Sequence, residues 1–312
     1  MAFDARWGRV LVAGSINTDL VVRVPRAPKE GETVTGDRFD IFGGGKGANQ
    51  AVAAARSGAP TAMLGSLGND DFGRQRLADL EADQIDCTHV AIIDDHPSGV
   101  ALITVEESGE NRIAYIPGAT RAVTTEQAIT ALQRVDPAVV LATLELPSDA
   151  LDVLFLEART SGVPVIVNAT PEPATGRALA LQADVLVVNE SEARELLGVD
   201  SGQRDWQDVA KRLREHGPSS VIVTLGAAGA VLVDGAGIVR VQAPTVDVVD
   251  TTGAGDAFCG ALAGQVASGA DLAQAMKVGV AAGAVAVTKP GAQPSMPERA
   301  AIEAMLKIMA RK

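Results

Sequence analysis

Asp256 closes a run, Asp250-Thr251-Thr252-Gly253-Ala254-Gly255-Asp256-Ala257-Phe258, in which small hydroxyl residues and glycines lead up to a carboxylate. Beyond it Ala257, Phe258, Ala261, Leu262, Gln265 and Val266 recur mainly three or four apart, the period of a helix laid against a core. The valines before it, Val246, Val248 and Val249, read as a strand-like lead-in. A strand that turns through glycines into a helix leaves first-turn N–H groups pointing into the turn. Such a turn attracts anions and lets a ligand come close to the backbone. A carboxylate beside an anion site is electrostatically awkward, and that placement suggests phosphoryl transfer with Asp256 as the base. The helix N-terminus favours its ionised form, a weak base suited to a hydroxyl that loses its proton late.

A second glycine-rich stretch, Gly43-Gly44-Gly45-Lys46-Gly47-Ala48-Asn49-Gln50, runs into a helical stripe of Ala48, Ala51, Val52 and Ala55. It is not a P-loop: that motif needs Gly six positions before the lysine and Ser or Thr after it, where this chain has Asp40 and Gly47. The loose dinucleotide pattern Gly43-x-Gly45-x-x-Ala48 follows flap-like strands rather than the first strand of a βαβ unit, which disfavours a dinucleotide-dependent oxidoreductase. Four glycines in five positions, with Lys46 and Asn49 among them, exceed what a tight junction needs.

Further polar groups follow apolar runs. Asn17 and Asp19 come just after the run 10–13, and Glu145 comes after 138–142, at the strand ends where open α/β sheets gather ligands. Asn189 and Glu192, three apart at a helix start, suit either a cap or a hydrated Mg²⁺ beside phosphates. Thr224-Leu225-Gly226-Ala227-Ala228-Gly229 suits a nucleotide's base and sugar or a plain hairpin. His89, His96 and His216 are scattered, no Cys/His cluster has zinc spacing, and no Gly-x-Ser-x-Gly elbow is present.

These groups need a frame. Strand-like runs at 61–64, 90–93, 138–142, 163–167, 185–188 and 220–224 alternate with helical stretches at 71–82, 124–134, 149–160, 191–197 and 206–215, the pattern of a sheet covered on both faces. Runs at 230–233 and 238–241 around Asp234-Gly235 form an antiparallel edge, and 271–287 and 297–310 are closing helices. Short β pieces at 20–24, 33–35 and 39–42, broken by Pro25, Pro28, Gly31 and Gly36, form a small sheet with the hairpin 98–105 and 111–116.

The chain has 312 residues, 47% hydrophobic and 21% charged, ordinary for a globular enzyme. Its net charge of −12 argues against nucleic-acid or anionic-membrane binding. Cys87 and Cys259 are no disulfide framework and suit a reducing compartment. The start, Met1-Ala2-Phe3-Asp4-Ala5-Arg6-Trp7, has no signal-peptide pattern, and the longest apolar run, 278–287, is too short to span a membrane. A cytoplasmic protein is expected.

The two glycine signatures, in this order with Asn189-x-x-Glu192 between them, resemble those of the ribokinase-like (PfkB) carbohydrate kinase family over nearly the full length. Gly14-Ser15-Ile16-Asn17-Thr18-Asp19, Gly31-Glu32-Thr33-Val34-Thr35-Gly36 and Gly291-Ala292-Gln293-Pro294-Ser295 are most similar to its ribose-phosphorylating branch. The resemblance implies a three-layer α/β/α fold with a mostly parallel central sheet. It implies one kinase domain over 1–312, with a β-sheet lid from about 17–42 and 96–118 that often forms a homodimer contact. It further implies transfer of the γ-phosphate of ATP to the 5-hydroxyl of D-ribose. A kinase for fructose, deoxyribose or a nucleoside is the near alternative, and a non-catalytic sugar- or nucleotide-sensing module the remoter one. On the same footing Asn17, Asp19, Gly45, Lys46, Gly47, Ala48, Asn49 and Glu145 would hold the sugar, with Asp256 taking its proton. The N–H groups of Gly253, Ala254 and Gly255 would form the anion hole. Asn189, Glu192, Thr224, Leu225, Gly226, Ala227, Ala228, Gly229 and Gly255 would line the ATP and Mg²⁺ side. Asp250, Thr252, Ala286, Lys289, Gly291 and Ser295 would hold a monovalent cation, K⁺, that orders the anion-hole turn, with Lys289-Pro290 altering the backbone of that loop.

Overall fold

The computed structural model describes residues 8–199, 202 and 205–311. The start of the chain, residues 1–7, on which the signal-peptide reading rests, lies outside them.

Two sheets organise the chain. The body is a nine-stranded sheet of β1 (Val10–Ala13), β4 (Thr61–Gly68), β5 (Asp86–Ile93), β8 (Val139–Thr143), β9 (Val165–Asn168), β10 (Val185–Asn189), β11 (Ser220–Thr224), β12 (Ala230–Val233) and β13 (Ile238–Val241). Its order is β13-β12-β11-β10-β9-β8-β1-β4-β5, parallel except for β12 and β13. The smaller sheet takes β2 (Asn17–Val24), β3 (Arg38–Gly44), β6 (Gly99–Glu106) and β7 (Asn111–Ile116) in the order β3-β2-β6-β7.

Apolar residues on successive positions of the central strands feed two cores, which is why these strands read as unbroken hydrophobic runs. Val10 and Val12 of β1 face a core shared with α1 (Lys46–Arg56), α2 (Asp71–Ala82), α8 (Ala254–Ala267), α9 (Leu272–Ala286) and α10 (Arg299–Met309). Leu11 and Ala13 face the other core, with α3 (Thr125–Val135), α4 (Ser148–Thr160), α5 (Arg177–Ala180), α6 (Glu190–Leu197) and α7 (Trp206–Arg214). The result is a helix–sheet–helix sandwich, the fold class expected from the alternation.

Chain order runs outward from β1 in both directions, so the sheet has its switch point between β1 and β8, where open α/β sheets present a crevice beyond their carboxyl ends. The smaller sheet rises from that crevice. Three residues separate β1 from β2, so Asn17 and Asp19 lie at the start of a strand rather than in a turn. β3 runs through Gly44 into α1, where Gly45 has φ 88° and serves as N-cap.

Three expectations need correction. The lead-in 246–249 is not a strand: Val248 and Val249 are exposed, and Val249 N–H donates only to Val287 O. β-branched residues alone make no strand where no sheet edge offers a ladder. The piece 33–35 is likewise irregular, because it lies between Pro28 and Gly36 with no partner in register. Finally, α8 is not amphipathic. It is buried on nearly all sides, with Gly260 pressed so closely on the Gln50 carbonyl of α1 that a Cβ there would overlap it.

Candidate active site

Asp256 lies in the first turn of α8 and is 7% exposed. Adjacent residues of α1 grip its two oxygens: Asn49 Nδ2 donates to Oδ2 at 2.9 Å and Gln50 Nε2 to Oδ1 at 3.0 Å. Gln50 Nε2 also donates to Asn168 Oδ1 at 2.9 Å, at the end of β9, and Asn168 Nδ2 donates on to Val187 O. Burial pushes the Asp256 carboxyl up from its ordinary pKa, against the Lys46 ammonium and the two amide donors. The helix N-terminus alone favours the charged form; burial outweighs it, so Asp256 is a stronger base than its position in the sequence suggests.

Gly253, the N-cap of α8, has φ 76°, which favours glycine, and no side chain caps the helix. Only Ala254 N–H turns back, to Thr251 O. The N–H groups of the following first turn therefore face the cavity beside Asp256, the arrangement that binds an anion.

That cavity, of about 210 Å³, is lined by Lys46, Asn168, Thr170, Asn189, Glu192, Thr224, Gly253, Gly255 and Asp256 among others. Through Thr224 and Gly255 it adjoins a larger apolar cleft of about 410 Å³, walled by Gly226, Ala227, Gly229, Val246, Val248, Phe258, Val280, Ala284 and Val287. A polar chamber with a lysine next to an apolar slot fits a phosphate chain attached to a flat base. Asn189 and Glu192 form the cap and also line the chamber. Asn189 Oδ1 accepts from Glu192 N–H at 2.9 Å and Glu192 Oε2 from Asn189 N–H at 2.8 Å, a capping box on α6, and both line the chamber. Burial raises the pKa of Glu192, opposed by the Asn189 N–H and Lys46.

On the other side of Asp256 stand the groups of the switch point. Glu145 Oε2 accepts from Ser15 N–H at 3.1 Å and from Thr143 Oγ1 at 2.9 Å. Gly47 packs against Gly14 with no room for a Cβ, which brings the α1 N-terminus onto the end of β1. Asp19 stands over Gly44, where a Cβ would overlap its carboxylate. Burial pushes its pKa up to about 6, opposed first by Arg76 and then by Lys46, and reinforced by Asp256. Asn49 Oδ1 is buried with no partner, an acceptor without a donor.

Asp250 ties the turn to the loop after α9. Its Oδ1 accepts from Thr252 N–H at 2.9 Å and Thr252 Oγ1 at 2.7 Å, and its Oδ2 from Gly291 N–H at 2.8 Å. Burial pushes this carboxyl up, but those donors outweigh it and its pKa is lowered. Ala286 O accepts from Lys289 N–H, and Ser295 Oγ donates to Ala292 O. Arg56, at the end of α1, holds the same loop: its Nη1 donates to Gln293 O at 3.0 Å and Met296 O at 3.3 Å, while Nε and Nη2 take both oxygens of Asp83.

Several residues here escaped the sequence reading. Gln50 stands in the sequence only as a motif residue, yet it grips the Asp256 carboxylate. Arg76, 6% exposed with Nε and Nη1 unpartnered, approaches Gly43 and the Asp19 carboxylate from α2. A signal for it existed: Gly73, Arg76 and Leu80 share the buried face of α2, and a guanidinium on such a face needs a reason. The apolar cleft drew on 243–248 and α9, where isolated valines carried no motif.

The pfkB family carbohydrate kinase profile matches residues 8–299. A ribokinase of Haemophilus influenzae is 36% identical over 293 residues, covering 92% of this chain and 95% of that one. A ribokinase of Schizosaccharomyces pombe is 37% identical over 300 residues, covering 92% and 94%. Among solved structures, Arabidopsis thaliana ribokinase in complex with ribose and ATP superposes with a TM-score of 0.86 at 29% identity, covering 96% of this chain and 99% of that one.

Proposed function

The chain belongs to the pfkB family of carbohydrate kinases, and from that premise we propose that it transfers the γ-phosphate of ATP to the 5-hydroxyl of D-ribose, giving ribose 5-phosphate and ADP. The observation that carries the reading is the position of Asp256: a buried carboxylate gripped by Asn49 and Gln50, at an uncapped helix N-terminus, in the wall between a polyol-sized set of polar groups and a phosphate-and-base cleft.

Asn17, Asp19, Lys46, Asn49 and Glu145, with the backbone of Gly45, Gly47 and Ala48, hold the sugar. Carboxylates and amides can each satisfy two hydroxyls. Asp256 takes the proton of the 5-hydroxyl as its oxygen forms a bond to the γ-phosphorus. The bond from that phosphorus to the β,γ-bridging oxygen breaks, and ADP leaves with the electron pair. Charge spreading over the transferred group meets the first-turn N–H groups of α8 and the Lys46 ammonium, and such fixed donors do most of the catalysis in a loose transition state. The adenosine lies in the apolar cleft between 224–229 and α9.

Two cations belong to the reading. The donors at Asn189 and Glu192, an amide and a carboxylate beside the phosphate chamber, fit a hydrated Mg²⁺, which would neutralise phosphate charge. Asp250, Thr252 and the main-chain oxygens around Ala286, Lys289, Gly291 and Ser295 are an all-oxygen set that fits K⁺, holding the turn of Gly253 in shape. No cluster of three or more His, Cys, Asp or Glu side chains with metal-site geometry occurs among the described residues. The smaller sheet acts as the lid, excluding water that would otherwise accept the phosphate. Its outward face is the dimer contact. No helix among the described residues is long and apolar enough to cross a membrane.

An ADP-release assay over D-ribose, 2-deoxyribose, fructose and nucleosides, with and without K⁺, tests the proposal. Fastest turnover on ribose, raised by K⁺, is expected. A faster nucleoside would move the chain to another branch of the family, and no turnover on any sugar would remove the kinase.

A further inference from the structure

Tyr115 is the one tyrosine of the chain, and it lies on the lid. The strand registers place it. Asp19 pairs with Ala101 and Ala101 with Tyr115, so the three form one cross-strand row and their side chains share a face of the smaller sheet. Asn17 is on the same face, two residues before Asp19. Ala101, small and buried between them, leaves the ring room to lean along the sheet.

Tyr115 is partly covered, 40% exposed, with its hydroxyl beside the side chains of Asn17 and Thr120. Burial raises its pKa, as does the neighbouring Glu145 carboxylate, against the side chains of Asn17 and Thr120 that adjoin the hydroxyl. Glu145 raises the pKa of Asp256 as well, so its carboxylate lies near both groups. The hydrogen bonding around the hydroxyl is incomplete. Asn17 Oδ1 and Thr120 Oγ1 are buried, and neither completes a bond of normal geometry. Gly99 has no side chain because Asn17 Oδ1 occupies the place of its Cβ. Buried polar atoms left open beside a phenol are a site for a ligand hydroxyl.

We propose that Tyr115 is a specificity-determining residue for the acceptor: its phenol, with Asn17, Thr120 and Glu145, hydrogen-bonds one secondary or anomeric hydroxyl of the sugar and closes the pocket there against larger substituents. The inference rests on the sugar-kinase reading and goes beyond it, since it assigns to the lid a polar reader of one hydroxyl. A site built to bond a hydroxyl rejects the analogue lacking it strongly, because its own buried groups are then left unpaired.

The test compares the parent with Tyr115→Phe on D-ribose and on ribose analogues lacking the 1-, 2- or 3-hydroxyl, together with fluorine NMR of protein carrying 3-fluorotyrosine, whose single resonance reports this residue alone. In the parent, one analogue should lose at least about ten-fold in kcat/KM. In Tyr115→Phe the KM for ribose should rise about five- to twenty-fold with kcat within about two-fold, and the penalty for that one analogue should shrink to about two-fold. The KM for ATP should not move, since the apolar cleft takes no residue from the lid. The fluorine resonance should shift with ribose. If ribose is phosphorylated but the resonance stays still, or Tyr115→Phe keeps the parent's full pattern of penalties, the assignment is wrong and the kinase reading stands. If no sugar is phosphorylated, both fall. Tyr115→Gln is the second variant should the ring prove necessary to the lid: it should lower the discrimination against bulky anomeric substituents, and unchanged discrimination overturns the proposal.

Discussion

At Asp256 two effects of opposite sign meet. A helix N-terminus stabilises a carboxylate by about 0.3–1 kcal/mol at the surface, and burial of a charge costs more than that. Burial sets the net direction, a raised pKa, while the amide donors of Asn49 and Gln50 favour the charged form. Asp256→Asn keeps the shape and the grip of Gln50 but removes the proton acceptor. Its kcat should fall by about 10³-fold or more, with the sugar Kd changed less than about five-fold. Calorimetric binding beside single-turnover kinetics reads both, and near-normal kcat would exclude Asp256 as the base.

Asp19 carries a cost that shows in stability. Its pKa is raised from the ordinary 3.8 to about 6, so the folded state holds its proton where the unfolded chain has released it. Its contribution is therefore neutral below about pH 4, and stability falls as pH rises to about 6, by up to about 3 kcal/mol before solvent screening is discounted. Asp19→Asn removes that penalty. The variant should melt a few degrees higher than the parent at pH 7.5, the gap closing towards pH 4, while its sugar affinity drops. Melting curves across that range check the sign; a gap that is constant with pH would show that Asp19 is not the cause. Asp256, Asn49 and Lys46 were legible as chemistry because glycine runs flag the backbone around them. Arg76 was not, because its meaning comes from Asp19, far away in sequence and brought near by β2 and α2.

Among elements, α1 is the member with most to hold. Its N-terminus rests on Gly14, its middle grips Asp256, and its end, through Arg56, fixes two carbonyls of the 293–296 loop. That loop begins at Gly291, which also donates to Asp250. Arg56→Met strips two carbonyls and the Asp83 carboxylate of a shared donor and should cost about 2–4 kcal/mol of stability. It should also raise several-fold the K⁺ concentration that gives half-maximal activity, with the sugar KM little changed. Titration with KCl at constant ionic strength measures this; loss of stability with an unaltered K⁺ response would separate Arg56 from the turn. Nearly all the elements of the body were legible, since the helices carry their own period and the buried strands are unbroken apolar runs. The segment 246–249 reads as strand-like and is not, because valine content says nothing about a free sheet edge. The short α5 was missed, since four residues carry no period.

Over the whole molecule the smaller sheet has two unlike faces. One carries Asn17, Asp19 and Tyr115 inward. The other presents Val22, Phe39, Ile41, Leu102 and Ile116, all exposed, with Val22 opposite Phe39 and Ile41 in the row of Leu20 and Leu102. A flat apolar sheet face of this kind is covered in stable soluble proteins. Phe39→Glu with Leu102→Lys should turn a dimer into a monomer in light scattering, and reduce activity by weakening the lid. A parent already monomeric at micromolar concentration would remove the dimer. Short β pieces broken by Pro25, Pro28, Gly31 and Gly36 showed that a sheet stood here; which of its faces would need covering was not written in them.

The nucleotide's apolar cleft is walled by residues of the body alone, from Thr224 to Val287, whereas the acceptor's ligands are divided between β2 and α1. On the proposed reading a bound sugar staples the smaller sheet to the body, and a bound nucleotide does not. Exchange of ADP for ATP is then expected behind a loaded acceptor, with the sugar leaving only once that staple is undone.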